Sequence, residues 1–439
     1  MDTLFKNTTA ITMNPEAPVL RNINLGIKGR KITYIEEAST PPPAAKRTID
    51  GTNKVLMPGL YNCHTHAAMT LFRGYANDRA LEDWLFNYIF PAEQKLTPKL
   101  TYTGTMLAIA DMISSGTVAF TDMYFFMDEV AAAAHDAGVL ANVSNAIIGF
   151  DKDSYDFYKD NVYTQTENAL AQYHNKNDRR IKVEASIHGV YTSFAPAWKQ
   201  VTDYAARHNL GLHIHLSETS TEHNNCIATY SMTPAQIFHR YGVFDLPCTA
   251  AHGVWVTDDD IKILADKGVC MAHNPLSNLK LASGLAPVEK MRKGGINVTL
   301  GTDGMASNNS HDLFEEMKMA SLLQKYAQSD PTAAPAMSVL EMATLNGAKS
   351  QGRAHESGML KVGYDADMLM IDFHNPRQTA CYDPVLNLAY STTGRDVEMT
   401  LCRGKVLYEK GEYKTIDIEK LLYDAKQAMK VFEYFPAHG

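Results

Sequence analysis

Three patterns of apolar and polar residues follow one another along the chain. The first part alternates them with the two-residue period of β-strands. The segments with this period are 8–13, 22–27 and 31–35. After about residue 356 the same period returns, and Arg403-Gly404 predicts a hairpin there. Each terminal region is too small to form a sheet core of its own, so we expect the two regions to pair in one lobe.

Between these regions, short apolar runs alternate with segments of helical period. The eight runs are Val55–Met57, Thr117–Phe120, Val139–Val143, Ile181–Ala185, Leu212–Leu216, Thr249–Ala251, Val269–Ala272 and Ile296–Leu300. Thr97-Pro98 predicts the N-cap and first turn of one helix, and Thr257 before three aspartates predicts another that ends near Gly268. Eight strand–helix units favour a TIM-type barrel over an open doubly wound sheet.

These patterns divide the 439-residue chain into three parts. We predict an α/β fold in which residues 57–356 form a TIM-type (β/α)8 barrel. Residues 1–56 and 357–415 are predicted to form a small β-sandwich lobe together, so that the barrel is inserted between the two halves of the lobe. Residues 416–439 are predicted to contain a closing C-terminal helix.

Composition and charge exclude several classes of protein. Hydrophobic residues make up 45% and charged residues 21% of the chain, which is typical of a globular protein and excludes a disordered one. Basic residues are dispersed and the net charge is −8, so we expect no nucleic-acid partner. With neither a long apolar run nor a leader pattern, we expect no membrane partner and a cytoplasmic location. The six scattered cysteines indicate free thiols.

Two His-x-His pairs carry the first indication of chemistry. His64 and His66 follow the first predicted strand, and His213 and His215 lie in the fifth. Residues i and i+2 lie on one face of a strand, so two imidazoles spaced in this way can bind one metal ion. Such a motif also occurs by chance, and the residues alone leave open whether His213 or His215 faces a metal.

Residues able to bind a metal or transfer a proton stand at the ends of six of the eight predicted strands. In chain order they are His64 and His66, His188, His215, His252, His273, and Asp303. Catalytic residues of a TIM barrel lie at these carboxyl ends. Glu218, three residues after His215, is predicted to be a general acid/base. His273 fits two interpretations equally, a group behind the metal ligands or a packed core residue.

Several long segments resemble the amidohydrolase superfamily, in particular its branch with a single metal. The segments that carry this resemblance are 58–66, 69–74, 82–86, 273–281 and 300–310. The similarity extends over nearly the whole chain and is closest to the methylthioadenosine/S-adenosylhomocysteine deaminases. Triazine hydrolases and other aminohydrolases share part of it. In the two-metal branch a lysine at the cavity end of strand four bridges the metals, whereas Lys182 begins this strand and His188 ends it.

The resemblance implies a role for each candidate residue. The implied metal ligands are His64, His66, His215 and Asp303; the implied catalytic residues are Glu218, His252 and Asp303. The residues implied to surround the nucleoside are Trp84, Glu93, His188 and Ser307, with Glu93 and His188 on the ribose side. Without the resemblance, the apolar spacing around Trp84 would indicate only a core helix, and Glu93 only a solvated charge.

The implied reaction is hydrolytic deamination of an adenosine-type nucleoside, with release of ammonia. Three imidazoles and a carboxylate suit one zinc ion best, while ligand type leaves iron(II) and manganese open. The alternative is an aminohydrolase or chlorohydrolase that acts on another N-heterocycle, such as a triazine or guanine. A non-enzymatic binding protein is disfavoured because such a protein would be expected to lack a ligand or Glu218. The expected partner is therefore a small heterocyclic substrate, and the sequence leaves homo-oligomerisation open.

The resemblance also leads to an expectation about the 5′ group of the substrate. Family members that accept S-adenosylhomocysteine hold its carboxylate with arginines just after the third strand and in the following loop. The corresponding segments here, 143–148 and 150–166, contain no arginine. Lys152 and Lys159 are available, but a lysine lacks the planar fork that suits a carboxylate. We therefore predict that adenosine or methylthioadenosine is a better substrate than S-adenosylhomocysteine.

Overall fold

The computed structural model describes residues 1–149 and 154–432 (of Asn177 the main chain only), and it has a mixed α/β fold. The strands are β1 (Thr3–Ile11), β2 (Val19–Lys28), β3 (Lys31–Glu37), β4 (Arg47–Asp50), β5 (Lys54–Pro58), β6 (Leu60–Thr65), β7 (Thr117–Met123), β8 (Leu140–Ser144), β9 (Ala146–Ile147), β10 (Ile181–Val183), β11 (Ala185–Ile187), β12 (Leu212–Leu216), β13 (Cys248–His252), β14 (Cys270–His273), β15 (Asn297–Leu300), β16 (Met368–Asp372), β17 (Val397–Cys402), β18 (Lys405–Glu409) and β19 (Glu412–Tyr413).

The helices lie mainly between the strands of the middle region. They are α1 (Leu81–Trp84), α2 (Phe90–Glu93), α3 (Pro98–Ser114), α4 (Met127–Ala137), α5 (Asn161–Gln172), α6 (Ala195–His208), α7 (Ser220–Tyr230), α8 (Pro234–Arg240), α9 (Asp258–Asp266), α10 (Pro275–Lys280), α11 (Val288–Lys293), α12 (Leu313–Gln328), α13 (Ala336–Ala343), α14 (Leu345–Ser350), α15 (Pro384–Tyr390) and α16 (Ile418–Met429). A π-helical turn at Leu85–Ile89 joins α1 to α2. No helix within the described residues is long and apolar enough to cross a membrane.

Strands from the two ends of the chain share one nine-stranded sheet. Its order is β19-β18-β17-β16-β5-β1-β2-β3, and β4 pairs with β1. The antiparallel pair β5–β16 joins the two halves, with Met57 opposite Leu369. The predicted hairpin after Arg403-Gly404 is present as β17–β18. The two terminal regions therefore pair with each other, because together they bury apolar side chains such as Leu56 and Leu401 that neither half could cover alone.

The strands of the middle region are parallel. One sheet has the order β10-β8-β7-β6, and a second has the order β15-β14-β13-β12-β11-β9. Single residues, Asn145 and Glu184, separate β8 from β9 and β10 from β11, so the two sheets continue into each other. At the other side, the main-chain N–H of Asp303 after β15 donates to the carbonyl of His64 in β6 at 3.0 Å. The carboxyl ends of all these strands thus face the same side.

One predicted strand belongs to a different sheet. Val55–Met57 was expected to open the parallel set, but it lies in β5, which pairs with β1 and β16. The first strand of the parallel set is β6. Strand β5 is buried almost throughout and therefore has a continuous apolar run. Strands of buried parallel sheets have the same pattern, so the sequence does not distinguish the two cases. Strand β6 lacked such a run because its buried Asn62 is polar and is paired with Thr302, at 2.7 Å between Nδ2 and Oγ1.

The predicted helix boundaries follow capping chemistry. Thr97 caps α3, where its hydroxyl accepts a hydrogen bond from the N–H of Leu100 at 3.3 Å. Thr257 and Asp260 form a capping box at the start of α9. The predicted closing helix is present as α16, which packs against α3. It ends at Met429, and residues 433–439 of the predicted segment lie outside the described residues.

Candidate metal centre and active site

The side chains predicted for the site meet at the carboxyl ends of the parallel strands. The strand ends that supply them are β6 (His64, His66), β11 (His188), β12 (His215, Glu218), β13 (His252) and β15 (Asp303). One cavity at this face is lined by all the predicted site residues except His64: His66, Trp84, Glu93, His188, His215, Glu218, His252, Asp303 and Ser307. His64 is fully buried beside them. The structure thus brings the predicted residues together.

Three contacts among four donor groups have the spacing of donors around one zinc ion. Oδ1 of Asp303 is 3.3 Å from Nε2 of His64 and 3.2 Å from Nε2 of His66. Nε2 of His66 is 3.3 Å from Nε2 of His215. Around a zinc ion with bonds of about 2.0–2.1 Å, tetrahedral donors lie about 3.3 Å apart. Among the described residues, Nε2 of His64 is buried without a hydrogen-bond partner, and His64 belongs to both groups of side chains that could hold a metal ion: His64, His66 and His215, and His64, His252 and Asp303.

The second nitrogen of each of these imidazoles is also engaged. Nδ1 of His66 is 2.6 Å from the carbonyl oxygen of Met123, and Nδ1 of His215 is 2.7 Å from that of His188. Nδ1 of His64 is 2.9 Å from Nε2 of His213. A carbonyl oxygen can only accept, so Nδ1 of His66 and of His215 carries the proton. This arrangement directs each Nε2 toward the centre, where it can bind a metal ion once it is unprotonated.

Burial and mutual charge set the protonation of the cluster. Burial lowers the pKa of His64 to about 4 and holds that of His215 well below its usual value. Burial alone would also lower the pKa of His66, but the hydrogen bond and charge of Asp303 raise it to about 9. Burial alone would raise the pKa of Asp303, but His64 and His66 hold it well below its usual range. Asp303 is therefore ionised, and a metal ion that binds must displace the proton of His66.

Glu218 lies beside the donor cluster without taking part in it. Its carboxylate is buried, and Oε2 is 3.9 Å from Nε2 of His252. Burial raises the pKa of Glu218, His252 opposes this, and the charge of Asp303 adds to it. A carboxyl group whose pKa is raised can both accept and return a proton near neutral pH.

The main chain is strained where it aims these side chains. Three non-glycine residues at the site have a positive φ: Ser217 at 48°, His252 at 75° and Asp303 at 62°. Conformations of this kind persist when surrounding contacts hold them, and they cluster at functional sites. At the first of these turns, the N–H of Glu218 donates to Oε2 of the buried Glu222 at 2.7 Å. Glu222 thus fixes the turn that carries Glu218.

Residues from α10 support two members of the site, and sequence reasoning gave them no role. The hydroxyl of Ser277 donates to Oδ2 of Asp303 at 2.6 Å. Oδ1 of Asn278 is 3.0 Å from Nδ1 of His252. Both residues stand in segment 273–281, so the resemblance of that segment to the family was the only signal that pointed to them.

The four residues predicted to surround a nucleoside line the cavity. Burial raises the pKa of Glu93 to about 7, although Tyr124 and His66 oppose the shift. Trp84 is only 5% exposed and packs within an apolar cluster, so it has the core position that its spacing indicates and also faces the cavity. The hydroxyl of Ser307 donates to Oδ2 of Asp303 at 3.1 Å. Nδ1 of His188 is 2.9 Å from the hydroxyl oxygen of Thr192.

Two other residues considered from the sequence lie away from the donor centre. Lys182 points to the opposite ends of the strands, where Nζ donates to the carbonyl oxygens of Gln351 and Gly352 at 2.9 and 2.8 Å. His273 is buried at the end of β14, and it is not among the residues that line the cavity. Within the described part of the chain, neither ring nitrogen of His273 has a hydrogen-bond partner.

Residues 55–407 match the family model described as the amidohydrolase family. The chain belongs to the amidohydrolase family. This amidohydrolase is 43% identical to the 5-methylthioadenosine/S-adenosylhomocysteine deaminase of Acetivibrio thermocellus over 432 residues, which cover 98% of this chain and 99% of the relative. It is 44% identical to the 5′-deoxyadenosine deaminase of Methanosarcina acetivorans over 430 residues, which cover 97% of each chain.

A solved structure extends the similarity to three dimensions. The crystal structure of an adenosine deaminase from Xanthomonas campestris with bound zinc superposes on this amidohydrolase with a TM-score of 0.92. The two chains are 31% identical, and the superposition covers 98% of each. The fold described above is therefore that of the amidohydrolase family.

Proposed function

We propose that this amidohydrolase is a metal-dependent hydrolytic deaminase of adenosine-type nucleosides that releases ammonia. The observation that carries the proposal is the donor cluster of His64, His66, His215 and Asp303 beside the buried carboxylate of Glu218. The same cavity holds Trp84, which offers a flat surface for a purine. The names of the relatives, adenosine, methylthioadenosine/S-adenosylhomocysteine and 5′-deoxyadenosine deaminases, support the nucleoside class.

His64, His66, His215 and Asp303 would hold one divalent metal ion. Three imidazoles and a carboxylate suit zinc best, and the zinc in the Xanthomonas campestris adenosine deaminase supports this choice over iron or manganese. When bound, the ion supplies the Lewis acidity that makes water a nucleophile near neutral pH. Side chains of the protein carry out the remaining steps.

Glu218 carries protons in the proposed reaction. Its carboxylate removes a proton from the attacking water and delivers it to the ring nitrogen next to the attacked carbon. Asp303 and His252 orient the water, and the amino group takes up the second proton of that water and leaves as ammonia. One water is consumed, and an oxygen replaces the amino group on the purine ring. Burial favours this role because it raises the pKa of Glu218 above its usual value, so the carboxylate takes up a proton more readily.

Glu93 and His188 are proposed to bind the ribose hydroxyl groups, and Trp84 and Ser307 to contact the base. A buried carboxyl group such as that of Glu93 needs hydrogen-bond donors, and the hydroxyl groups of a ribose are suitable ones. Nε2 of His188 is free to face the substrate because Nδ1 is occupied by Thr192.

The finer architecture is also part of this proposal. We propose that the parallel strands close into a (β/α)8 barrel over residues 57–356, since hydrogen bonds link the end of β15 to β6. The nine-stranded sheet would then be the second lobe, built from residues 1–56 and 357–415 together with Met57 and Pro58, which complete β5. A cytoplasmic location remains an expectation from the sequence, which leaves homo-oligomerisation open.

The function is tested by metal analysis combined with ammonia release from a panel of heterocycles. The panel contains adenosine, 5′-deoxyadenosine, methylthioadenosine, S-adenosylhomocysteine, guanine, cytosine and a chlorotriazine. We expect one metal ion per chain and ammonia release from the adenosine-type nucleosides. Activity confined to guanine, cytosine or the triazine would contradict the proposed substrate class but would agree with the proposed metal centre.

Among the nucleosides, we expect methylthioadenosine or adenosine to be used with a higher kcat/KM than S-adenosylhomocysteine. The residues after the third strand that line the cavity are Asn145, Ala146 and Ile148, and no arginine lines it within the described residues. Loss of one charge-assisted hydrogen bond costs about 1.5–3 kcal/mol, or about one to two powers of ten in kcat/KM. The three nucleosides are compared at the same metal loading.

Lysine variants provide the control for this preference. Nζ of Lys159 is 3.0 Å from Oδ2 of Asp156, and its side chain is 83% exposed, so Lys159→Ala is expected to leave the ratio unchanged. Lys152 lies outside the described residues, and its replacement by alanine tests it in the same way. Equal or better use of S-adenosylhomocysteine, reversed by either substitution, would show that a lysine holds the carboxylate and would refute the expected preference.

A further inference from the structure

His213 lies behind the donor cluster rather than in it. It stands two residues before His215 in β12, so both side chains are on the same face of the strand. It is fully buried, and its Nε2 is 2.9 Å from Nδ1 of His64. His64 therefore differs from His66 and His215, whose second nitrogens face main-chain carbonyl oxygens. The orientation of the His64 ring therefore depends on the side chain of His213.

The contact determines where the protons of both rings lie. When Nε2 of His64 faces the donor centre as an unprotonated ligand, its Nδ1 carries the proton and donates it to Nε2 of His213. Nε2 of His213 must then be unprotonated, so the proton of this ring lies on Nδ1. The position of the second proton thus follows from that of the first.

Glu184 faces the nitrogen that carries this second proton. Its Oε2 is 3.8 Å from Nδ1 of His213, and neither atom has a hydrogen-bond partner among the described residues. Both groups are buried, and two unsatisfied buried polar atoms are costly. A movement of about 0.6–1 Å would bring them to hydrogen-bonding distance.

The other oxygen of Glu184 is already engaged. Oε1 accepts a hydrogen bond from Nδ2 of Asn142 at 2.7 Å. Glu184 lies at the single-residue break between β10 and β11, and its main-chain N–H donates to the carbonyl of Val143 at 2.9 Å. The carboxylate is therefore fixed on one side and presents its free oxygen to His213 on the other.

We propose that His213 and Glu184 are positioning residues that fix the tautomer and orientation of His64 toward the metal. The inference rests on the metal centre of the proposed function. It concerns the hydrogen bond between His213 and His64 at 2.9 Å and the contact of Glu184 with His213 at 3.8 Å, which both lie behind the donor cluster. Groups of this kind behind a metal ligand typically contribute about 10–100-fold to metal affinity.

Glu184→Gln tests the role of Glu184 with a substitution that keeps the size of the side chain. Asn142 donates to the only oxygen that glutamine would have, so the new amide NH2 group would face Nδ1 of His213. An NH2 group at this position favours the tautomer of His213 that carries its proton on Nε2. That proton would then point at the proton on Nδ1 of His64, and the hydrogen bond between the two rings would be lost. We expect zinc affinity, measured by competition with a fluorescent chelator, to fall by about 10–100-fold.

His213 variants separate an acceptor role from simple packing. His213→Leu removes the acceptor and is expected to weaken zinc binding by about 10–100-fold. His213→Gln places an amide oxygen near the position of Nε2 and is expected to restore most of the affinity. His223→Leu is the control, since His223 is also buried but lies in α7, outside the strands of the centre. It is expected to bind zinc as the wild type does.

A spectroscopic signature accompanies the affinities. In zinc-loaded enzyme labelled with 15N-histidine, the Nδ1–H proton of His64 is expected in the wild type and in His213→Gln, and shifted in His213→Leu. Wild-type zinc affinity in both Glu184→Gln and His213→Leu, or equal losses in His213→Gln and His213→Leu, would overturn the inference. A wild-type enzyme that binds no metal would instead refute the metal centre itself, so the two failures are distinguishable.

Discussion

Glu218→Gln is expected to lower kcat by about 10²–10⁴-fold while the protein keeps its metal ion. The amide has the same size as the carboxyl group but cannot accept and return a proton. The carboxylate of Glu218 is not among the donors that approach the centre, so the metal site should stay intact. Metal content by elemental analysis and kcat with a nucleoside substrate are measured on the same preparation.

Glu419→Gln supplies the control for this substitution. Glu419 is exposed, and it lies in α16, which packs against α3 and contributes no residue to the lining of the cavity. The same chemical change there should leave kcat near the wild-type value. Turnover of Glu218→Gln at a similar level, with the metal retained, would exclude Glu218 as the group that carries the proton.

Removal of a donor is expected to lower metal content and activity together. Asp303→Ala or His66→Ala removes one of the four side chains proposed to hold the metal ion. The loss should be larger for Asp303→Ala, because it removes a negative charge and also leaves the hydroxyl groups of Ser277 and Ser307 without their acceptor. Metal content after dialysis and the residual rate of ammonia release are the measurements.

Comparison of His215→Ala with His213→Ala checks the assignment within β12. His215 presents Nε2 to the centre, whereas His213 acts only through His64. The first substitution should therefore lower metal content much more than the second. Loss of the metal in His213→Ala, with retention in His215→Ala, would reverse the two roles.

The sequence could place the site because the ends of parallel strands have a fixed direction. Once His64, His215 and Asp303 were assigned to strand ends, the topology required them to share one face. The first strand was assigned wrongly because hydropathy indicates that a strand is buried but not which strand it pairs with. The polar strand β6, whose Asn62 pairs with Thr302, has no apolar run that would reveal it.

Contacts between distant segments set the limit of what the sequence could predict. The hydrogen bonds of Ser277 to Asp303, of Glu222 to the main chain of Glu218, and of His213 to His64 depend on side-chain directions after folding. No local pattern distinguishes these residues from ordinary serine, glutamate or histidine. Trp84 and Glu93 were identified only by the resemblance of their segments to the family.

The pairing of β5 with β16 has a consequence for synthesis of the chain. Strand β5 leaves the ribosome early, but β16 follows only after the whole parallel set. Until then one edge of β5, with the buried Leu56 and Met57, has no partner and can pair with another chain. Because such long-range pairing is slow, we expect folding to finish only after release, and truncation before β16 to cause aggregation rather than yield an independent catalytic fragment.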